Sequence, residues 1–151
     1  MQRLIRAVGR PVFKPNDVRR FYARGRPPKK PNLSQQKPED SIFAKIVTRQ
    51  IPADIVYEDD AFIAFKDINP VAPVHVLVIP KKPVSSVSSE LAHPMLLGEC
   101  VVTAKKVAEK EGIAKTGYRL VINEGADGMQ SVPWLHVHVI GGKRLSWPPG
   151  V

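Results

Sequence analysis

The chain has 151 residues, 43% of them hydrophobic, which is enough for one domain with a buried core and a tail. No run of about eighteen apolar residues occurs, so no transmembrane segment is predicted. The single cysteine, Cys100, excludes an intramolecular disulfide and fits a reducing compartment. One thiol also lacks the cluster of ligands that a structural zinc site needs, so Cys100 is expected to pack in the core.

The net charge of +9 is unevenly distributed. Residues 1–38 contain eleven Lys and Arg and one acid, whereas residues 39–151 contain twelve basic and thirteen acidic residues. The sequence therefore predicts a basic, Pro-rich N-terminal extension over residues 1–38 and a folded domain over residues 39–151. Any binding to nucleic acid or to an anionic surface is expected to use the extension.

Three interpretations of this extension stay open. Residues 3–10 place arginines opposite apolar side chains, and such an acid-poor start resembles a mitochondrial presequence, with the cytoplasm or nucleus as the alternative location. A basic arm is the second interpretation: its charges would neutralise phosphates, and Phe21 or Tyr22 would stack on bases, within an RNA or protein complex. The third is a solvated tail without a role.

The sequence of the domain predicts seven helices and strands in chain order. A short helix begins near Ser41, with Asp40 or Ser41 as its N-cap. Strands follow at 54–59, 61–68 and 74–80, then a long helix at 94–111 that Gly112 ends, then strands at 118–123 and 134–142. The predicted buried stripe of the long helix is Leu96, Leu97, Cys100, Val101, Ala104, Val107 and Ala108. Because helices and strands segregate, an α+β fold on an antiparallel five-stranded sheet is favoured.

The last strand carries two histidines on one face. Side chains alternate along a strand, so in "WLHVHVI" Trp134, His136 and His138 share a face while the other face is apolar. Two adjacent imidazolium ions would repel, so at least one ring is neutral near pH 7. A neutral imidazole is a nucleophile or base, and a charged neighbour donates hydrogen bonds to an anion.

Two other interpretations compete with this chemistry. The pair could be structural, with both rings bonded to the backbone. Two histidines at i and i+2 could also bind zinc, but no third ligand is obvious nearby, so no metal site and no cofactor are predicted.

The preceding loop favours the chemical interpretation. "NEGADGMQS" is rich in small residues and can turn backbone N–H groups toward phosphate oxygens. Asn123, Gln130 and Ser131 add side-chain donors. A neutral imidazole beside such donors suits attack on phosphorus.

Four ordered motifs now give a family resemblance. "DINPVAPVHVLVIPKK", "NEGADGMQSV", "HVHVIGG" and "WPPG" resemble the Hint branch of the histidine triad superfamily, without obvious gaps from about Ser41 to Gly150. The resemblance implies an α+β homodimer whose sheets join across the two-fold axis. It also implies a purine nucleoside monophosphate ligand and nucleotide phosphoramidase or hydrolase activity.

The resemblance assigns roles to individual residues. His136 would be the nucleophile that forms a nucleotidyl-histidine, and His138 would contact the phosphate and assist the leaving group. Ser131 and Asn123 would lie near the phosphate and leaving group, and Asp67 would hold the ribose hydroxyls unless it only caps a turn. The resemblance also assigns the walls of the base pocket to Ile42, Phe43, Ile46, Phe65, Ile68 and Leu77. His75 and Trp147 match supporting residues, and Trp134 occupies a supporting position without matching the family residue. Without the resemblance, Trp147 would pack at a dimer seam, and the following would be core residues: Ile42, Phe43, Ile46, Phe65, Leu77 and His75.

Two positions depart from the family pattern. Trp134 stands where the first triad histidine is expected, and an indole donates one hydrogen bond but neither accepts one nor titrates. Met129 stands where the phosphate loop usually has glycine, so a positive φ there would be strained and the side chain would crowd the phosphate. Three outcomes stay open: catalysis is retained, redirected to another leaving group, or lost. If it is lost, the domain would be a structural subunit of a larger complex, such as a mitochondrial ribonucleoprotein, held through residues 1–38.

Overall fold

The computed structural model describes residues 36–149. The predictions for residues 3–10, Phe21 and Tyr22 lie outside this range. Within the described range, no helix is both long and apolar enough to cross a bilayer.

The described residues form an α+β fold. After a 3₁₀ turn at Pro38–Asp40, the elements are α1 (Ile42–Val47), β1 (Ile55–Glu58), β2 (Phe62–Lys66), β3 (Val74–Pro80), α2 (Pro94–Lys110), β4 (Tyr118–Val121) and β5 (Val137–Gly141). The strands build one sheet in the order β1-β2-β3-β5-β4, and every neighbouring pair is antiparallel. The predicted fold class is confirmed, and so is the prediction of one short and one long helix.

The two helices begin at side-chain caps. The Ser41 hydroxyl accepts a hydrogen bond from the Ala44 amide at 3.2 Å, and Nδ1 of His93 accepts one from the Leu96 amide at 3.2 Å. Both caps satisfy an amide that the first helical turn leaves unpaired. Of the two predicted candidates, Ser41 is therefore the N-cap of α1, and His93 is the N-cap of α2.

In the core on the α2 side of the sheet, the helix packs against alternate residues of β5 and of the segment just before it. Leu135, Val137 and Val139 pack there with Cys100 and other buried α2 residues. One predicted stripe residue, Val101, is wrong: it is 45% exposed, and Thr103 is buried instead. Buried positions recur at i, i+3, i+4 and i+7, so the residue after Cys100 turns outward.

The core on the other side of the sheet lies beneath α1. It contains Phe43, Ala44, Ile46, Ile63, Phe65, Leu77, Ile79 and Trp134. Trp134 therefore packs on the opposite side from Leu135, as the strand alternation predicts.

The regular ladder of β5 is shorter than the predicted strand at 134–142. It begins at Val137 because the preceding amides bond elsewhere: Trp134 N–H donates to the Val132 carbonyl, and Leu135 N–H donates to the Val84 carbonyl. Strands β1, β2 and β4 are also shorter than predicted at their ends. The alternation of faces nevertheless continues through residues 134–139, so the shorter strand leaves His136 and His138 on the face that the sequence predicts.

Candidate active site

A cavity of about 400 Å³ lies on the α1 side of the sheet, beside α1 and the ends of β2 and β5. Its lining includes these predicted site residues: Ile42, Phe43, Ile46, Phe65, Asp67, Ile68, Leu77, Ser131, His136 and His138. The structure thus brings two histidines, a hydroxyl and a carboxylate to one apolar-walled space. That combination is typical of a small-molecule site.

Several lining residues were not predicted. They are Pro52, Ala53, Asp54, Lys66, Asn69, Pro70 and Val132. Asn69 and Pro70 belong to the quoted "DINP" motif, which was a usable signal. Asp54 and Lys66 form an ion pair at 3.2 Å, but neither residue type nor spacing marks them as part of a site.

Five predicted site residues do not line this cavity: Asn123, Gln130, His75, Trp134 and Trp147. Gln130 holds the loop together. Its amide nitrogen donates to the carbonyls of Ser85 and Val132, and its oxygen accepts from the Gly125 amide. With both amide protons used, Gln130 has no donor left for a ligand. Trp147 is 84% exposed.

The loop that precedes β5 is tied to the loop that precedes α2. Besides the Gln130 contacts, the Glu124 carboxylate accepts a hydrogen bond from the Val87 amide at 3.0 Å. Gly128 lies so close to the Glu124 backbone that a Cβ there would be 2.3 Å from the carbonyl oxygen. These contacts fix the loop path that delivers Ser131 to the cavity.

Met129 adopts the positive φ that the sequence suggested, at 59°. Such left-handed backbone is unfavourable for a residue with a side chain. Met129 is 65% exposed and is not among the residues that line the cavity.

His136 is held by the backbone. Its Nδ1 lies 2.6 Å from the Trp134 carbonyl oxygen, and its ring meets Phe43 edge-on at 5.4 Å between centroids. A carbonyl only accepts, so Nδ1 carries the proton and Nε2 of the neutral ring has the free lone pair. Burial lowers the pKa of His136, although the Trp134 carbonyl opposes this, so the neutral ring is favoured near pH 7.

His138 accepts a hydrogen bond from a second histidine. His75 Nδ1 accepts from the Val71 amide at 3.3 Å, so His75 Nε2 is protonated and donates to His138 Nδ1 at 2.9 Å. The remaining His138 Nε2 is then an N–H donor. Burial, followed by the neighbouring His136 and His75, lowers the pKa of His138 to about 4.

His138 Nε2 has no hydrogen-bond partner. Among residues 36–149 it is the one buried side-chain nitrogen or oxygen in this condition. A buried donor without a partner costs about 1–3 kcal/mol, so the orphaned nitrogen marks a position where a ligand acceptor would be favourable.

Asp67 combines a structural contact with a position in the site. One carboxylate oxygen accepts from the Asn69 amide at 2.8 Å, which is the turn-capping role considered from the sequence. The other lies 3.6 Å from His75 Nε2. Asp67 therefore holds the loop after β2 and also faces the histidines.

The structure brings together a different set of possible metal ligands from the His136 and His138 pair considered from the sequence, since the set does not include His136. Asp67, His75 and His138 bring one ligand atom each within 4.8 Å of one another. However, a metal on His75 Nε2 requires the proton on Nδ1, where the Val71 N–H already donates. The donor set therefore does not favour a metal ion.

Comparisons with known proteins agree with this architecture. Residues 48–145 match the HIT domain family. The chain is 54% identical over 113 residues to an uncharacterized HIT-like protein of Synechococcus elongatus, covering 74% of this chain and 98% of that one. It also resembles the crystal structure of a HIT family hydrolase from Legionella pneumophila, with a TM-score of 0.70, 42% identity, and coverage of 74% and 100%.

A more distant structure is a histidine triad nucleotide-binding protein from Candida albicans. It aligns with a TM-score of 0.63 at 26% identity, covering 74% of this chain and 85% of that one. The family model spans more than half of the chain, and the first relative is covered almost completely. This chain therefore belongs to the HIT domain family.

Proposed function

We propose that the protein is a nucleoside phosphoramidase or nucleotide hydrolase of the Hint branch, acting through a nucleotidyl-His136 intermediate. The observation that carries this proposal is the complementary pair in one cavity. His136 has an Nε2 lone pair, while His138 has an unpartnered Nε2–H. A nucleophile and a donor are what attack on a phosphoryl centre requires.

The cavity supports a purine nucleoside monophosphate as the ligand. Its apolar walls suit an aromatic base: Ile42, Phe43, Ile46, Phe65, Ile68 and Leu77. Asp67 would accept the ribose hydroxyls with the carboxylate oxygen that does not bond to Asn69. Ser131, delivered by the loop before β5, would donate to the phosphate.

The proposed reaction has two steps. His136 Nε2 attacks the α-phosphorus, the P–N bond breaks, and the leaving nitrogen takes up a proton from His138. This step requires His138 to take up a second proton at Nδ1, in place of the hydrogen bond that it accepts from His75. An anionic phosphate beside the buried histidines favours this protonated form, which supplies the proton to the leaving nitrogen. Water then attacks the nucleotidyl-histidine, returns a proton to His138, and frees His136.

Trp134 would occupy the first position of the triad. Its indole adds no base to the site, so proton movement would involve His138 and His75. Because the His136–carbonyl bond uses only the backbone of Trp134, the indole leaves the nucleophile intact. The proposal is therefore retained catalysis.

The test is turnover of adenosine 5′-phosphoramidate by the full-length protein. His136→Ala should abolish release of AMP, and rapid quenching of the unaltered enzyme should trap a nucleotidyl adduct on His136 that mass spectrometry locates. His93→Asn is a matched control, since it alters a histidine outside the cavity and keeps an N-cap. AMP binding without turnover in the unaltered enzyme would instead favour a binding module.

We also propose two associations. The edge position of β4 supports a homodimer whose sheets join, because an edge strand offers unpaired backbone groups. The charge of residues 1–38 supports a mitochondrial ribonucleoprotein or protein complex as partner of the extension. Light scattering would test the first, and co-purification with and without residues 1–38 would test the second; unchanged association after the deletion would reject it.

A further inference from the structure

We propose that Trp134 is a positioning residue for His136, because its anchored indole holds the main-chain carbonyl that fixes the protonation pattern of that imidazole. The inference rests on the proposed function, in which His136 Nε2 is the nucleophile. Trp134 is outside the cavity lining, so it would act through His136 and not by touching the substrate.

The indole is anchored by a hydrogen bond. Its Nε1–H donates to the Pro80 carbonyl, at the end of β3, over 2.9 Å and in a buried setting. This bond spans 54 positions of the chain and joins the approach of β5 to the neighbouring strand. It acts at a point that the regular ladder does not reach, since β5 begins at Val137.

Packing supplies a second restraint. Trp134 is 2% exposed and belongs to the same apolar cluster as Phe43, Ile63 and Ile79. Phe43 also meets the His136 ring edge-on. The indole therefore belongs to the packed cluster that also contains the aromatic neighbour of His136, and a shift of the indole would be transmitted to His136 through the backbone that joins the two residues.

The restrained group is the acceptor that selects the tautomer. The Trp134 carbonyl accepts a hydrogen bond from His136 Nδ1–H at 2.6 Å, which leaves the lone pair on Nε2 of a residue that lines the cavity. If the carbonyl moved, the ring would populate the Nε2–H tautomer, which has no lone pair directed at phosphorus. An indole suits this role because it donates one bond and never competes for the proton.

The experiment compares Trp134→Phe with the unaltered full-length protein. Phenylalanine keeps an aromatic ring and removes the N–H donor. We expect kcat for adenosine 5′-phosphoramidate to fall roughly ten- to hundredfold, the range expected for a misplaced catalytic group, with KM changed less than about twofold. The ¹⁵N NMR shifts of His136 should move from one tautomer toward a mixture.

The matched control is Phe62→Leu, which trims a buried aromatic on the α2 side of the sheet. It should lower stability without changing the His136 tautomer. An unaltered tautomer and kcat in Trp134→Phe would reduce the indole to simple packing and overturn the proposal.

Two further readouts keep the inference testable. If Trp134→Phe does not fold, hydrogen exchange in the unaltered protein decides: the Trp134 indole N–H should exchange far more slowly than that of Trp147, which is 84% exposed. Equal exchange, or an Nε2–H tautomer of His136, would overturn the proposal. Absence of turnover in the unaltered enzyme would defeat the proposed function alone, since the tautomer is measured without substrate.

Discussion

The two faces of the β5 segment carry opposite kinds of side chain. On the α2 face, Leu135, Val137 and Val139 are each at most 1% exposed and contribute only apolar contacts. On the α1 face, His136 and His138 are also largely covered, yet each retains a nitrogen available for chemistry. One strand thus supports folding with one set of alternate residues and a candidate site with the other.

The difference shows where the molecule accepts an unfavourable interaction. The apolar face leaves no polar atom to satisfy, whereas the histidine face keeps the donor of His138 buried without a partner. Such a group would be replaced by an apolar one if stability alone mattered. The following variants test this contrast in order of expected effect.

Leu135→Ala should have the largest effect, on stability. Leu135 is 1% exposed within the core on the α2 side. Truncation removes buried apolar surface and leaves a cavity, so the free energy of unfolding should fall by about 2–5 kcal/mol. Urea denaturation would measure the loss. A cost below about 1 kcal/mol would mean that the apolar face is not the main support of β5.

His138→Leu should reverse the pattern. Losing the donor should lower kcat/KM for a nucleoside phosphoramidate at least about 100-fold. Stability should change by less than about 1 kcal/mol, because the variant removes an unsatisfied nitrogen, and the Asp67 carboxylate, 3.6 Å from His75 Nε2, is close enough to replace His138 as the acceptor after a small shift. A large loss of stability would show that the His75–His138 bond is structural.

Acid should weaken the histidine face selectively. The pKa of His138 is about 4 in the fold against 6.5 in the unfolded chain, so the unfolded chain binds more protons between these values. Stability should therefore fall as the pH drops from about 6.5 to 4, by on the order of 2 kcal/mol. The slope should flatten in His138→Leu, and an unchanged slope would assign the acid sensitivity to other groups.

Met129→Gly should have the smallest effect. Glycine adopts the observed φ of 59° freely, so relief of backbone strain should slightly exceed the added flexibility of the unfolded chain, for a gain of about 0.5 kcal/mol. Met129→Ala, which keeps the strain, should show no gain in thermal denaturation. Equal effects of both variants would attribute any change to the exposed side chain.

The features that the sequence could reveal are those encoded in a local period. Alternation placed His136 and His138 opposite Val137 and Val139 without knowledge of any partner strand. The cap at Ser41 likewise followed from residue type and position. The family resemblance then added the cavity walls contributed by distant segments, such as Phe43 and Leu77.

What the sequence could not reveal depends on contacts between distant segments. Gln130 was expected to serve a ligand, but its amide bonds to Ser85, which lies 45 positions away. The hydrogen bond between His75 and His138 spans 63 positions, so neither the hydrogen-bond donor to His138 nor the nearby Asp67 could be inferred from spacing. The prediction that Val101 is buried was wrong for a simpler reason, since this apolar residue lies beside the buried stripe of α2 and was counted as part of it.

The buried thiol of Cys100 has a practical consequence. Cys100 lies on the core-facing side of α2 and is 1% exposed, and burial raises the pKa of its thiol to about 11. Because the thiolate is the reactive form, maleimides and disulfide reagents should pass over this position in the folded protein. A cysteine introduced at the rim of the cavity, for example at Ile68, would therefore accept a fluorophore or spin label selectively and report ligand entry from one known place.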